Sequence, residues 1–484
     1  MKKRLLSAAL AVSIALLLGS CELILGSSGG GGDDDDATTR TFYAQNILTG
    51  TWYRTSATLR ATGDKCLIYV EDDQLDTVSA TLAQAIADEF DADIYAKIQT
   101  NFGTESDVDE NGKIILFLLD IQDGYPVYTG GGYVAGYFDP THLFDSSSEP
   151  YSNEADMLYM DVYPAEAGDA DFNSTIAHEF QHLINFATTF SAGFGYKQQD
   201  VWINEGLSAA AEYVYAGAQV QARIDWYNDP PTTDPDYSDI ENGNNFFVWG
   251  ENDNYILDEY ATVYLFFQWL RIHASNDSGI YKEILNNPNK YVDYRTVTAA
   301  ASLRIDAGLS DWDVLLRTWL AANVLNLSSG PYGYGGEIAT IVTQRVTADS
   351  PLSPGEGVYF NVSSFDRTAT GNLRYAGINT STEVVDAVGT NYEGDVGLVL
   401  NVNTVKTGLA ETGDVASIAI APTKVSSVRA SSRSAGALKP PSAYPISVIL
   451  QPGGGFHPDS HRPAGSTAPS RELDTSARII GSRR

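Results

Sequence analysis

The chain has 484 residues, 43% of them hydrophobic, and a formal net charge of −32 at pH 7. That length allows two or three domains and at least one sizeable core, and that hydrophobic share belongs to a globular chain rather than a disordered one. So large an acidic excess argues against nucleic acid as a partner, because phosphate binding needs a basic surface, and it gives weak repulsion from anionic membranes.

The N-terminus reads as an export signal. Lys2, Lys3 and Arg4 form a positive start, and residues 5–18 form an apolar run. That run is short of the roughly 20 residues a spanning helix needs. Leu18-Gly19-Ser20-Cys21 has the form of a bacterial lipobox, which makes Cys21 the expected lipidation point. The chain is then expected to be exported and held on a bacterial membrane, in the periplasm or at the cell surface. The alternative is an ordinary secretory signal that contains a cysteine. Residues 22–41, with glycines at 29–32 and aspartates at 33–36, read as a flexible tether, since glycine loosens a chain and like charges extend it. Cys66 then remains as a free thiol without a disulfide framework, and its strand-like setting marks it as a core residue.

The folded body is expected to begin near Phe42. The pattern predicts a strand over 65–70 and an amphipathic helix over 75–99, with Leu82, Ile86, Phe90, Ile94 and Ile98 on its apolar face. A continuous apolar run predicts a buried strand over 114–121. An edge strand with a loop is expected over 130–138, a further strand over 157–162 and a helix over 171–190. This order predicts an α+β fold. From 201 to 272 the chain turns helical, most clearly over 202–215 and 255–273, and 282–284 and 312–325 continue the pattern. After about Gly330 the period falls to two, with short strands at 357–362, 372–378 and 396–402. From 423 the chain is rich in Ser, Pro, Gly and Arg and reads as largely disordered. The expected division is a signal and lipobox (1–21), a tether (22–41), a main domain (42–330), a β-rich domain (331–422) and a low-complexity basic tail (423–484).

The chemistry concentrates in His178-Glu179-Phe180-Gln181-His182, inside an apolar helical run of a chain with only six histidines. Positions i and i+4 of a helix share one face, so two imidazoles there can grip a single zinc ion. Glu179 can then reach a water on that ion as general acid/base. A catalytic zinc site needs a third protein ligand and an open fourth position. Glu205, within Trp202-Ile203-Asn204-Glu205-Gly206-Leu207-Ser208, is the candidate. Its alternative reading is a solvated first-turn acid stabilised by the helix dipole. Glu212 lies two turns further along the same face and is placed to orient an imidazole through its other N–H, or else is a surface glutamate.

These stretches resemble the gluzincin zinc metallopeptidases and are most similar to the hyicolysin family of neutral zinc metallopeptidases. Tyr69-Val70-Glu71-Asp72 and residues 114–120, 132–138, 177–185 and 202–208 carry the resemblance, which covers roughly 66–269. It implies a zincin-like domain with a mixed sheet, an active-site helix and a helical subdomain. It also implies a zinc endopeptidase acting on protein or peptide substrates, with His178, His182 and Glu205 as ligands and Glu179 as catalytic acid/base. Aminopeptidase members of the group carry a Gly-x-Met-x-Asn signature upstream, and this chain, with methionines only at 1, 157 and 160, has no such run. Relatives steady the oxyanion with a His or Tyr from a later helix. Here Tyr260 is the choice, with Tyr264 on the same face and His273 beyond. The alternative is that these tyrosines are core aromatics with wet hydroxyls. A competing function is an inactive zinc-binding adhesin or scaffold lipoprotein, against which the retention of Glu179 argues. Asp107-Val108-Asp109-Glu110-Asn111-Gly112 opens like a calcium loop, with Asp107, Asp109 and Asn111 as its ligands. Leu118 stands where that loop needs a bidentate glutamate, so an Asn-Gly turn before a strand is the preferred reading. His142, His457 and His461 lack partners at ligand spacing and read as loop residues.

Overall fold

The computed structural model describes residues 38–125, 133–228, 246–247, 256–345, 352–362, 369, 371–387, 394–405 and 445–449. Cys21, the expected tether up to residue 37, His457, His461 and most of the basic tail lie outside them, while residues 39–41, expected as tether, belong to the first strand.

The main sheet starts with an antiparallel hairpin, β1 (Thr39–Asn46) and β2 (Thr51–Thr62), that the sequence reading did not anticipate. β2 pairs antiparallel with β3 (Cys66–Glu71), and β3, β4 (Ile114–Leu119) and β6 (Met157–Asp161) then run parallel. β5 (Tyr133–Phe138) pairs antiparallel with β6. Neighbouring strands lie about 4.8 Å apart, so β1 and β4 would be about 14 Å apart in a flat sheet. Phe42 of β1 instead stacks on Phe117 of β4 with ring centroids 4.8 Å apart, so the sheet is curled. Its inner face carries Phe42, Ile115, Phe117, Leu119, Tyr137, Met157 and Tyr159. The alternate residues Ile114, Leu116 and Leu118 face the helices. A parallel strand buried on both faces is a continuous apolar run, which is how β4 reads.

The single helix expected over 75–99 is two. Ser79 caps α1 (Ala80–Glu89) by accepting the Leu82 N–H, and a wide π turn at Phe90–Ile94 leads into α2 (Tyr95–Phe102). Ile86, Phe90, Ile94 and Ile98 recur at fours, and an α-helix of 3.6 residues per turn would carry such a row around its surface. The wider turn compensates, and all four are buried.

α3 (Ala170–Thr189), capped by the Asp169 carboxylate accepting the Phe172 N–H at 2.8 Å, is buried along most of its length. α4 (Val201–Ala216) packs on it and ends at Gly217, whose φ of 66° is the left-handed conformation that suits glycine. A short α5 (Gln221–Asn228) and a long α6 (Ile256–His273) follow. Gly206 of α4 faces Phe267 of α6, and a Cβ added there would lie 2.3 Å from that ring. Glycine is what lets these helices approach so closely. α7 (Gly279–Leu285), α8 (Tyr294–Arg304) and α9 (Trp312–Leu325) extend the helical layer. No helix among the described residues is long and apolar enough to cross a membrane.

A four-stranded antiparallel sheet follows, with β7 (Gly357–Asn361), β8 (Leu373–Asn379), β9 (Val384–Asp386) and β10 (Val396–Asn401) in the order β7-β10-β8-β9. Val358, Phe360, Leu373, Tyr375 and Val399 form its own small core. The opposite face, with Tyr359, Ala376, Ile378 and Leu398, joins the main core. The Tyr359 hydroxyl donates to the Leu320 carbonyl of α9 at 2.9 Å. Within the tail, β11 (Pro445–Ile449) runs parallel to β5. β5 is therefore flanked on both sides, by β6 and β11, instead of lying at the sheet edge as the sequence reading expected.

Candidate metal centre

α3 presents His178 and His182 one turn apart, with ring centroids 4.8 Å from each other. Glu205 enters from α4. Its Oε2 lies 3.4 Å from Nε2 of His178 and 3.3 Å from Nε2 of His182. All three side chains are buried, and these three atoms have no hydrogen-bond partner. The separations exceed the usual 2.7–3.2 Å of an N–H···O bond. They match the edges of a tetrahedron instead, since ligand atoms about 2.1 Å from a zinc ion lie about 3.4 Å from each other. Two nitrogens and a carboxylate oxygen are also the donor set zinc accepts, so the residues fit the ion the sequence reading expected.

The far sides of both rings are tied down. Nδ1 of His178 meets Oε1 of Glu212 at 2.8 Å. Nδ1 of His182 lies 2.9 Å from the Ser208 hydroxyl and 3.1 Å from Oδ1 of Asn204. Ser208 donates its own proton to Gln181, so its oxygen is free to accept from the ring. Each Nδ1 therefore carries a proton, and each Nε2 faces the same point, where it would give its lone pair to a bound metal ion. Sequence reasoning found Glu212 but missed Ser208 and Asn204. They flank Glu205 at −1 and +3, and only the packing of α4 on α3 turns them to His182.

Charge follows the geometry. Burial alone would lower the His178 pKa, but Glu205 and Glu212 outweigh it and raise it to about 9. Burial would raise Glu205, and His182 and His178 bring it down to about 2. Glu212, likewise buried, is held down to about 2 by Arg223 and His178. Arg223 of α5 grips Glu212 through Nη2 at 2.7 Å. A site so rich in carboxylate favours a cation at its centre.

Glu179 is fully buried, and a carboxylate oxygen of it lies within 4.8 Å of a ring nitrogen of each histidine. β5 passes directly over it. A Cβ at Gly136 would come within 3.3 Å of Glu179 Cγ and 3.0 Å of the Tyr159 carbonyl. Tyr260 of α6 is buried, its ring centroid 6.2 Å from that of His178. Burial first, then Glu205, pushes its pKa well above the usual value and keeps the phenol neutral. The other two donors considered lie elsewhere. The Tyr264 hydroxyl donates to Gln219 at 2.8 Å and accepts the Val220 N–H at 2.7 Å, and His273 lies 2.8 Å from the Gly333 carbonyl.

No family model matches the chain. It is 33% identical over 255 residues to the neutral metalloprotease ShpI of Staphylococcus hyicus. The matched stretch is 51% of this chain and 55% of that protein, so the chain spans about half the length of this relative.

Around the calcium-like stretch, Asp107 and Asp109 gather with Asp156, carboxylate oxygens within 4.8 Å of one another. Asn111 accepts the Lys113 N–H through Oδ1 at 2.7 Å and donates through Nδ2 to Asp109 at 2.7 Å. Asp107 accepts the Gly112 N–H at 3.0 Å, and Asp156 accepts the Val108 N–H at 2.6 Å and the Ser106 hydroxyl. Backbone turns thus use part of these oxygens, and the three carboxylates remain a group that could hold a cation. Cys66 is buried, its pKa pushed up to about 12 by burial, with its thiol against the Ala87 carbonyl. His142, read as a loop residue, is a buried residue of a short 3-10 turn, Pro140–Leu143.

Proposed function

We propose that this chain is a zinc-dependent endopeptidase, exported and lipid-anchored through Cys21, that hydrolyses protein or peptide substrates. The observation that carries the proposal is the meeting of three buried, hydrogen-bond-free ligand atoms, from His178, His182 and Glu205, at 3.3 and 3.4 Å. Similarity to a neutral metalloprotease points the same way. Zinc held there would polarise a scissile carbonyl and ease the ionisation of a water molecule. Glu179 takes the proton of the attacking water and returns it to the leaving amine, so that the C–N bond breaks as a C–O bond forms. Tyr260, a neutral phenol, offers its O–H to the charge that gathers on the carbonyl oxygen. Glu212, Ser208 and Asn204 keep each imidazole in the tautomer that presents Nε2. Endopeptidase rather than aminopeptidase action is favoured by the lack of a Gly-x-Met-x-Asn run. Export and anchoring rest on Lys2, Lys3, Arg4, the apolar run that follows and the lipobox at Cys21.

The competing reading is a zinc-binding adhesin without catalysis. A buried Glu179 beside the ligands speaks against it, since a purely structural site needs no general base. The test is cleavage of a peptide library by the purified protein. Wild type is expected to hold one zinc per chain and to cut, and chelator is expected to stop it. Glu179→Gln should keep the zinc and lose about 100-fold or more in kcat. Equal cleavage by wild type and Glu179→Gln, or a wild type without zinc, would sink the proposal.

A further inference from the structure

Arg223 touches both the carboxylate that holds His178 and the tyrosine beside the candidate metal position. α5, which carries it, is tied to α6 on both sides of this contact. Upstream, the Tyr264 hydroxyl accepts the Val220 N–H at 2.7 Å and donates to Gln219 at 2.8 Å. Downstream, the Trp226 indole N–H donates to Asp258 at 2.6 Å. Between these ties, the guanidinium carbon of Arg223 lies 5.0 Å from the centroid of the Tyr260 ring. The same guanidinium reaches Glu212 through Nη2 at 2.7 Å and Nε at 3.4 Å. Glu212 in turn holds Nδ1 of His178. The Arg223 and Glu212 side chains are only 14% and 7% exposed, so water screens the pair weakly.

We propose that Arg223 is a positioning residue that locks the Tyr260 ring and the Glu212–His178 pair into one unit. The hydroxyl that faces the substrate and the imidazole that faces the metal are then set by a single side chain. The role suits arginine. Its planar fork meets a carboxylate with two N–H groups while its flat face covers an aromatic ring. Lysine keeps the charge toward Glu212 but has no plane to lay on Tyr260. This inference rests on the zinc reading above, and its test keeps the two apart.

The experiment uses the full-length protein with Arg223→Gln, Arg223→Lys, Tyr260→Phe and the Arg223→Lys/Tyr260→Phe double variant. Zinc affinity is read by chelator competition without substrate, and kcat and KM on a cleaved peptide. Arg223→Gln is expected to weaken zinc binding about 10–100-fold. Arg223→Lys is expected to stay within about threefold of wild type in zinc affinity, yet to lose about tenfold in kcat at unchanged KM. That kcat loss should vanish in the Tyr260→Phe background, because Arg223 acts by placing the hydroxyl that phenylalanine lacks. Three results would overturn the inference: wild-type zinc affinity in Arg223→Gln, wild-type kcat in Arg223→Lys, or an undiminished loss in the double variant. If Arg223→Gln does not fold, the lysine variant and the double variant decide it. A wild type that binds no zinc overturns the underlying reading and this inference together. An active, zinc-loaded wild type matched by its Arg223 variants overturns this inference alone.

Discussion

Two buried histidine clusters occupy opposite faces of the main sheet, and they use the imidazole in opposite ways. On the inner face, Nδ1 of His142 accepts the Asn153 N–H at 3.0 Å, so the ring proton sits on Nε2, which meets the Tyr159 hydroxyl at 2.6 Å. Both nitrogens are used by the protein, and burial drives the pKa down to about 3. On the helical face, His178 and His182 use Nδ1 alone and aim Nε2 at Glu205. Carboxylates there reverse the effect of burial and raise His178 to about 9. Burial by itself makes a histidine neutral; a ring with one satisfied nitrogen and one turned toward an anion is built to hold a cation.

The largest expected effect separates the clusters by metal. His178→Ala should weaken zinc binding by more than about 100-fold, while His142→Gln keeps zinc and loses about 1–3 kcal/mol of folding stability. Zinc titration with urea unfolding reads both, and a zinc defect in His142→Gln would break the contrast. The next effect is in pH. The folded pKa of His142, about 3, lies below the unfolded value of about 6.5, so as pH falls the unfolded chain takes up the proton first. Stability from this group is full above pH 6.5 and declines below it by about 1.4 kcal/mol per unit until about pH 3. Urea midpoints between pH 7 and 4.5 should therefore fall more steeply for wild type than for His142→Gln, and parallel curves would refute the assignment. The smallest effect lies within the metal cluster. Ser208→Ala removes one neutral hydrogen bond from His182 and should weaken zinc about fivefold, whereas Glu212→Gln should weaken it at least about tenfold. The reverse order would mean that the uncharged support matters more than the charged one.

What could be read from residues alone follows the range of the interactions. His178 and His182 sit one turn apart on one helix, so their shared face needs no tertiary knowledge, and β4 shows itself because both its faces are apolar. Glu212 was reachable by continuing the helical phase from Glu205. Arg223 was not, because its link to Glu212 and Tyr260 exists only once α5 lies on α6. His142 looked idle for the same reason, its partners Asn153 and Tyr159 being brought to it as the chain returns from β5 to pair as β6. The hairpin of β1 and β2 escaped because much of β2 is partly exposed and polar. The π turn at Phe90–Ile94 was hidden by apolar residues at fours, which read as one continuous helix.

Gly206 follows Glu205 directly and meets the Phe267 ring across the seam between α4 and α6. Tyr260 stands two turns from Phe267 on the same helix. The gap between Glu205 and the Tyr260 phenol is thus gauged by bare backbone against a packed ring. A single methyl group at this position would act as a shim, prising the phenol from the carboxylate without touching either.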